Sequence, residues 1–87
     1  ARLTGLLPTK VGHEVVALQA EDHYVRVHTR LGSALVRYRF SDAMRDLESL
    51  DGLQVHRSFW VRKAAVVGID RADGGWSLVL EGGQRIR

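Results

Sequence analysis

Short apolar runs broken by turn-forming residues fill the chain, and their close spacing constrains the fold more than any other feature. Extended segments are expected at residues 3–7, 14–19, 23–30, 34–39, 54–56, 59–61, 65–70 and 76–80. Between them stand Pro8, Lys10-Val11-Gly12, Leu31-Gly32-Ser33, Asp73-Gly74-Gly75 and Gly82-Gly83. Asp73-Gly74 is the clearest hairpin signal, because that pair tolerates positive φ. Links this short join antiparallel neighbours, so hairpins are expected throughout. The run Val15-Val16-Ala17-Leu18 is apolar without interruption and predicts a strand covered on both faces. Residues 23–30 instead alternate Val25, Val27 and Thr29 with Tyr24, Arg26, His28 and Arg30, which predicts one wet face. One helix is expected, over 42–50, with Ser41 as N-cap and Asp42 near its positive end. Ala43, Met44, Leu47 and Leu50 would form its buried stripe, and Gly52 would end it in a left-handed conformation. Trp60 and Trp76 are expected in the core rather than as platforms for stacked bases.

The 87 residues fit one domain, and a domain this small buries only about 60% of the surface its unfolded chain exposes. No cysteine is present, so neither a disulfide nor a thiolate metal site adds cohesion, and a reducing cytoplasm suits the chain. No apolar run approaches the roughly 18 residues of a membrane span, and no signal-peptide pattern opens the sequence, which is therefore expected to be soluble. The formal charge is +3 but unevenly spread. Residues 42–51 hold Asp42, Asp46, Glu48 and Asp51 against Arg45 alone, a net of −3, and the remainder carries +6. A polyanion would approach the remainder, and segment 42–51 is expected to face away from it.

Val55-His56-Arg57-Ser58-Phe59-Trp60-Val61 places a guanidinium inside an otherwise apolar ribbon. In one straight strand Arg57 would share a face with Val55, Phe59 and Val61, and burying it there would be prohibitive. A bend near Arg57-Ser58 is expected instead, projecting His56, Arg57 or both while the apolar residues stay inside.

The same stretch resembles the aliphatic-His-Arg-Ser-aromatic signature of the LytTR family of DNA-binding domains. Ala20-Glu21-Asp22-His23-Tyr24-Val25 is similar to that family's polar loop and Tyr-Val strand entry, and Leu80-Glu81-Gly82-Gly83-Gln84-Arg85-Ile86 is similar to its closing Leu-x-x-Gly hairpin. The resemblance implies a mostly β domain of small antiparallel sheets in an elongated β-β-β arrangement, with one short helix, in which loops rather than a recognition helix enter the DNA grooves. It implies the output module of a bacterial transcription regulator, bound to double-stranded DNA at repeated half-sites, with two copies able to pair there. A receiver or a membrane-anchored sensor is expected in the same cytoplasmic parent protein. The sequence ends ahead of the family's Val-Ser-Arg-like continuation, which carries another base-reading arginine. Residues 1–87 are thus expected to form a single LytTR-like domain short of the last C-terminal residues of the pattern.

Arg57 has the chemistry for direct base readout, since its planar fork can donate twice to guanine; a phosphate contact, or pairing with an acid such as Asp51, would be the other uses. The resemblance assigns base readout to His23, whose loop enters a major groove in the family. Glu21 and Asp22 beside it either aim away from phosphates or accept from cytosine. Backbone contacts are expected from Tyr24, Arg26, His56, Ser58, Arg62 and Lys63, with His56 equally suited to bracing the bend and Tyr24 to core packing. The family pattern has Asn near position 62, where this chain has Arg62, so no amide-dependent role carries over. Arg30, Arg37 and Arg39 are expected on a solvated hairpin face.

Other classes of function fit less well. A protein-interaction or dimerisation module would dock an acidic partner through its β edges and arginine-rich hairpin. A hydrolase on His56 and Ser58 ranks last, because no Gly-x-Ser-x-Gly elbow, phosphate-cradling loop or acid–base pair is present, and the chain is not expected to be an enzyme. Four histidines without cysteine give no metal-ligand pattern, and no cofactor is expected.

Overall fold

A computed structural model describes residues 2–72, 74–82 and 84–86. Eight strands follow in order: β1 (Val15–Glu21), β2 (Tyr24–Thr29), β3 (Gly32–Arg37), β4 (Gly52–His56), β5 (Phe59–Arg62), β6 (Val66–Ala72), β7 (Gly75–Leu80) and β8 (Arg85–Ile86). One α-helix, α1 (Phe40–Asp46), lies between β3 and β4, and short 3-10 turns occupy Thr4–Leu6, Thr9–Val11 and Lys63–Ala65. The strands form two antiparallel sheets, five strands in the order β3-β2-β1-β5-β4 and three in the order β6-β7-β8. The body is elongated, 37 × 24 × 21 Å.

The larger sheet is the middle layer. One face carries Val15, Leu18, Val25, Val27, Val36 and Trp60, covered by Leu3, Leu7 and Val11 from the N-terminal turns and by Ala43 and Leu47 from the helical region. The opposite face carries Val16, Ala17 and Val61, covered by Ala65, Leu80 and Ile86. β1 sits centrally and is buried on both faces, as its unbroken apolar run predicts. A register shift between Val15 and Ala17 lets the adjacent residues Val16 and Ala17 serve the same layer. β2 buries Val25, Val27 and Thr29 and turns Tyr24, Arg26 and His28 the other way, as its alternation predicts.

Several expectations are overturned. Residues 3–7 do not form a strand: Thr4–Leu6 and Thr9–Val11 are short 3-10 turns joined through extended Leu7 and Pro8, and they lay Leu3, Leu7 and Val11 against one core layer. The helix begins at Phe40, so Ser41 lies inside its first turn, and Arg39 holds the N-cap position without a side-chain cap. Ala43 and Leu47 form the buried stripe, with Met44 and Leu50 partly buried against it, although Leu47 and Leu50 lie in turns after the helix. Gly52 does not cap the helix: it opens β4, and its φ is not left-handed. The β2–β3 link is Arg30-Leu31, one residue earlier than expected, because Thr29 pairs with Gly32. Trp60 is buried, but Trp76, near the start of β7, is 63% exposed. The Asp73 and Gly83 positions of the two glycine turns lie outside the described residues.

Candidate nucleic-acid interface

Strand pairing decides which turns become neighbours. Glu21 pairs with Tyr24, which makes Asp22-His23 a two-residue turn, and His56 pairs with Phe59, which makes Arg57-Ser58 another. Gln19 pairs with Phe59 across β1 and β5, so both turns lie at the same end of the sheet. The Ala20 N–H donates to the Ser58 carbonyl at 2.8 Å and ties one tip to the other. Asp22 takes φ 57°, a value aspartate tolerates better than most residues. At the second tip, a register shift between Gln54 and His56 makes Val55 a bulge, so Val55 and Phe59 pack against the lower core layer while His56 and Arg57 are exposed. The bend expected from the cost of burying Arg57 is thus a hairpin turn assisted by a bulge.

Arg57 makes no ion pair among the described residues; Asp51, its candidate partner, faces the Lys63 ammonium at 3.5 Å. Its carbonyl is held by the Gln54 amide at 3.5 Å, leaving the guanidinium to solvent. The Ser58 N–H donates to Nδ1 of His56 at 3.3 Å, and the Ser58 hydroxyl lies 3.2 Å from the same nitrogen. An accepting Nδ1 places the neutral ring's proton on Nε2, so His56 braces the turn with one nitrogen and keeps a donor on the other. Its ring also meets the Phe59 ring edge-on at 5.5 Å. Ser58 uses both its hydroxyl and its N–H within the turn.

His23 is exposed at its tip and shares an open depression of about 610 Å³ with Asp22, Arg37, Tyr38, Arg39, Phe40 and Ser41. Tyr24 is 40% exposed rather than core and stands opposite Arg37 on the neighbouring strand. Arg26 is committed to Glu21 at 2.7 Å, which also removes one of the two acids flanking His23. His28, on the same face of β2, stacks on Phe59 and lies 3.3 Å from the Gln84 amide; burial, with Arg26 adding to it, lowers its pKa below 6.5.

The opposite end of the sheet differs in charge. Arg62 and Lys63 stand there, a strand length from Arg57, and are not brought together with it. Lys63 is neutralised by Asp51, and Arg30 by Glu14 and Glu81. Arg37 and Arg39, expected only on a solvated hairpin face, carry no ion pair among the described residues and lie beside His23. Their signal was the loop length, since a two-residue β2–β3 turn places Arg37 opposite Tyr24. Segment 42–51 is not wholly remote either, because Asp42 and Asp46 share a second depression with Arg37 and Arg39.

Arg57 on its tight turn, with Arg37 and Arg39 at the same end of the sheet, carries no ion pair among the described residues and presents positive charge that a polyanion can meet. Residues 11–87 match the family model of the LytTr DNA-binding domain, and the chain belongs to that family, which supplies DNA-binding domains to transcription regulators and is not an enzyme family. It is 35% identical over 69 residues, 79% of this chain, to the CO-responsive transcriptional regulator RcoM of Rhodospirillum rubrum. The chain spans 29% of that relative's length. The fold is that of a LytTr DNA-binding domain from a Bacillus cereus protein described as a methyl-accepting/DNA response regulator, with a TM-score of 0.68 at 23% identity over 84% of this chain and 68% of that one. No helix among the described residues is long and apolar enough to cross a membrane.

Proposed function

We propose that this domain recognises a specific duplex sequence by inserting the Asp22-His23 and Arg57-Ser58 tips side by side into one major groove. The observation that carries the proposal is the exposed Arg57 guanidinium, in no ion pair among the described residues, on a turn strapped to the neighbouring tip by the Ala20–Ser58 hydrogen bond. Neighbouring strands lie about 4.8 Å apart, and the centres of the two tips are two spacings apart in the sheet order, about 10 Å. A major groove about 12 Å wide admits that pair. Arg57 then donates to a guanine edge, His23 reads a second base edge, and the outward Nε2–H of His56 meets a phosphate. Tyr24 supplies a further hydroxyl at the rim. The domain acts as the output part of a cytoplasmic regulator whose receiver or sensor portion lies elsewhere in the parent, with two copies on repeated half-sites.

Selection from a random duplex library tests this. A consensus should emerge, and Arg57→Ala should weaken the selected duplex by about 1–3 kcal/mol while relaxing one base position. Equal losses on selected and scrambled duplexes would remove base readout from Arg57.

One observation favours a second surface. Ile69, Trp76 and Leu78 of β6 and β7 form, with Val55 and Ile86, an open apolar cleft of about 490 Å³. Arg71 lies over the Trp76 ring at 5.3 Å. A protein-docking role for this cleft is compatible with DNA binding at the other site.

A further inference from the structure

Of the features outside the two tips, the segment linking β3 to α1 carries the strongest inference. Resting on the reading above, we propose that Arg37 and Arg39 form a phosphate clamp that grips the DNA backbone beside the groove entered by His23 and Arg57.

Pairing and charge both support it. Arg37 is the last residue of β3 and lies opposite Tyr24, which fixes it at the same end of the sheet as the two tips. Arg39 follows two residues later and lines the depression that also holds His23. Both arginines are exposed. Of the acids around them, Asp42 pairs with Arg45 at 3.7 Å and Asp46 accepts from the Tyr38 hydroxyl and from the Leu3 N–H at 3.1 Å, while Asp22 lines the depression on the side of His23. At the far end of the sheet Arg30 and Lys63 are held in ion pairs, whereas Arg37 and Arg39 have none among the described residues.

Strand order supplies the reach. β3 is the edge of the sheet, one and a half strand spacings beyond the centre of the His23 tip and three and a half from the Arg57 tip, which is about 17 Å. That exceeds the major-groove width of about 12 Å, so side chains leaving β3 fall outside the groove, where the phosphates stand. Arginine suits that place, because its fork binds a phosphate through two donors. Such a contact fixes register without reading sequence.

The test compares Arg37→Ala/Arg39→Ala with the unaltered chain on a library-selected duplex and on a scrambled duplex of equal length, across a salt series. Each lost phosphate contact should lower the slope of log affinity against log salt by about 0.9, hence about 1.8 for the pair, and at 0.1 M salt weaken binding by up to about eightfold per contact. The loss should be equal on both duplexes, and Arg30→Ala, at the opposite end, should leave the slope unchanged. An unchanged slope in a double variant with a normal thermal melt overturns the clamp, as does a loss confined to the selected duplex. If instead the unaltered chain binds both duplexes equally, the base-reading proposal fails while the slope still decides the clamp.

Discussion

Gly52→Ala separates two reasons for a glycine at this position. A Cβ added at Gly52 would lie 2.1 Å from Cζ2 and 2.4 Å from Cε2 of Trp60. Carbon atoms settle at about 3.5–4.0 Å, so the indole would have to retreat by about 1.5 Å. It has little room, since Trp60 is 95% buried in the layer formed with Leu18, Ala43 and Leu47. Overpacking of this kind costs about 1–3 kcal/mol, and a clash with a confined ring belongs near the top of that range. At about 4–8 °C per kcal/mol for a domain of this size, the melting temperature should fall by roughly 10–20 °C, read by circular dichroism. A left-handed helix cap would behave differently, because asparagine tolerates that conformation better than alanine and Gly52→Asn would be the milder change. Against the indole, Gly52→Asn should be no better. In a Trp60→Leu background the clash disappears, and Gly52→Ala should become neutral or stabilise by about 0.5–1 kcal/mol through reduced chain entropy. Equal costs of Gly52→Ala in both backgrounds would refute the packing account.

His56→Ala removes the acceptor that holds the Ser58 N–H and hydroxyl, and should weaken a selected duplex by about 1–1.5 kcal/mol, measured by fluorescence anisotropy, with little change in melting temperature. Lys63→Ala, expected from sequence to loosen all duplexes, should now change affinity less than about twofold, since Asp51 already cancels the ammonium at the far end of the sheet. The folded state disfavours the charged form of His28, so the unfolded chain binds the extra proton first. Stability contributed by this group is therefore present above pH 6.5 and lost as pH falls toward the lowered folded value. The melting temperature should drop over that window, and His28→Gln should flatten the drop; an identical pH profile in the variant would assign the drop to other groups.

The sequence by itself determined the fold class, most of its turns and one cation that had to stand outside the core. Alternation and unbroken apolar runs report burial locally, one strand at a time, so β1 and β2 were legible as doubly and singly covered strands. Arg57 was legible because a guanidinium cannot stay inside an apolar ribbon, whatever the rest of the chain does. The N-terminal segment was misread because Leu3, Leu6 and Leu7 fit a strand by composition, and the short turns that lay Leu3 and Leu7 on the sheet are set by packing against it. Gly52 was misread for a related reason: glycine is permissive anywhere, and the group that excludes a side chain, Trp60, reaches it across a strand pair.

Only the tertiary structure decided which charges are free and which turns stand together. His23, Arg37 and Arg57 are distant in sequence, and the β3-β2-β1-β5-β4 order brings them to one end of the sheet. The same order sends Arg62 and Lys63 to the other end, where acids from three separate connecting segments pair with Lys63 and Arg30. Net charge adds up along a chain, whereas a binding surface depends on which charges remain uncompensated in space, and that is a property of pairing between distant strands.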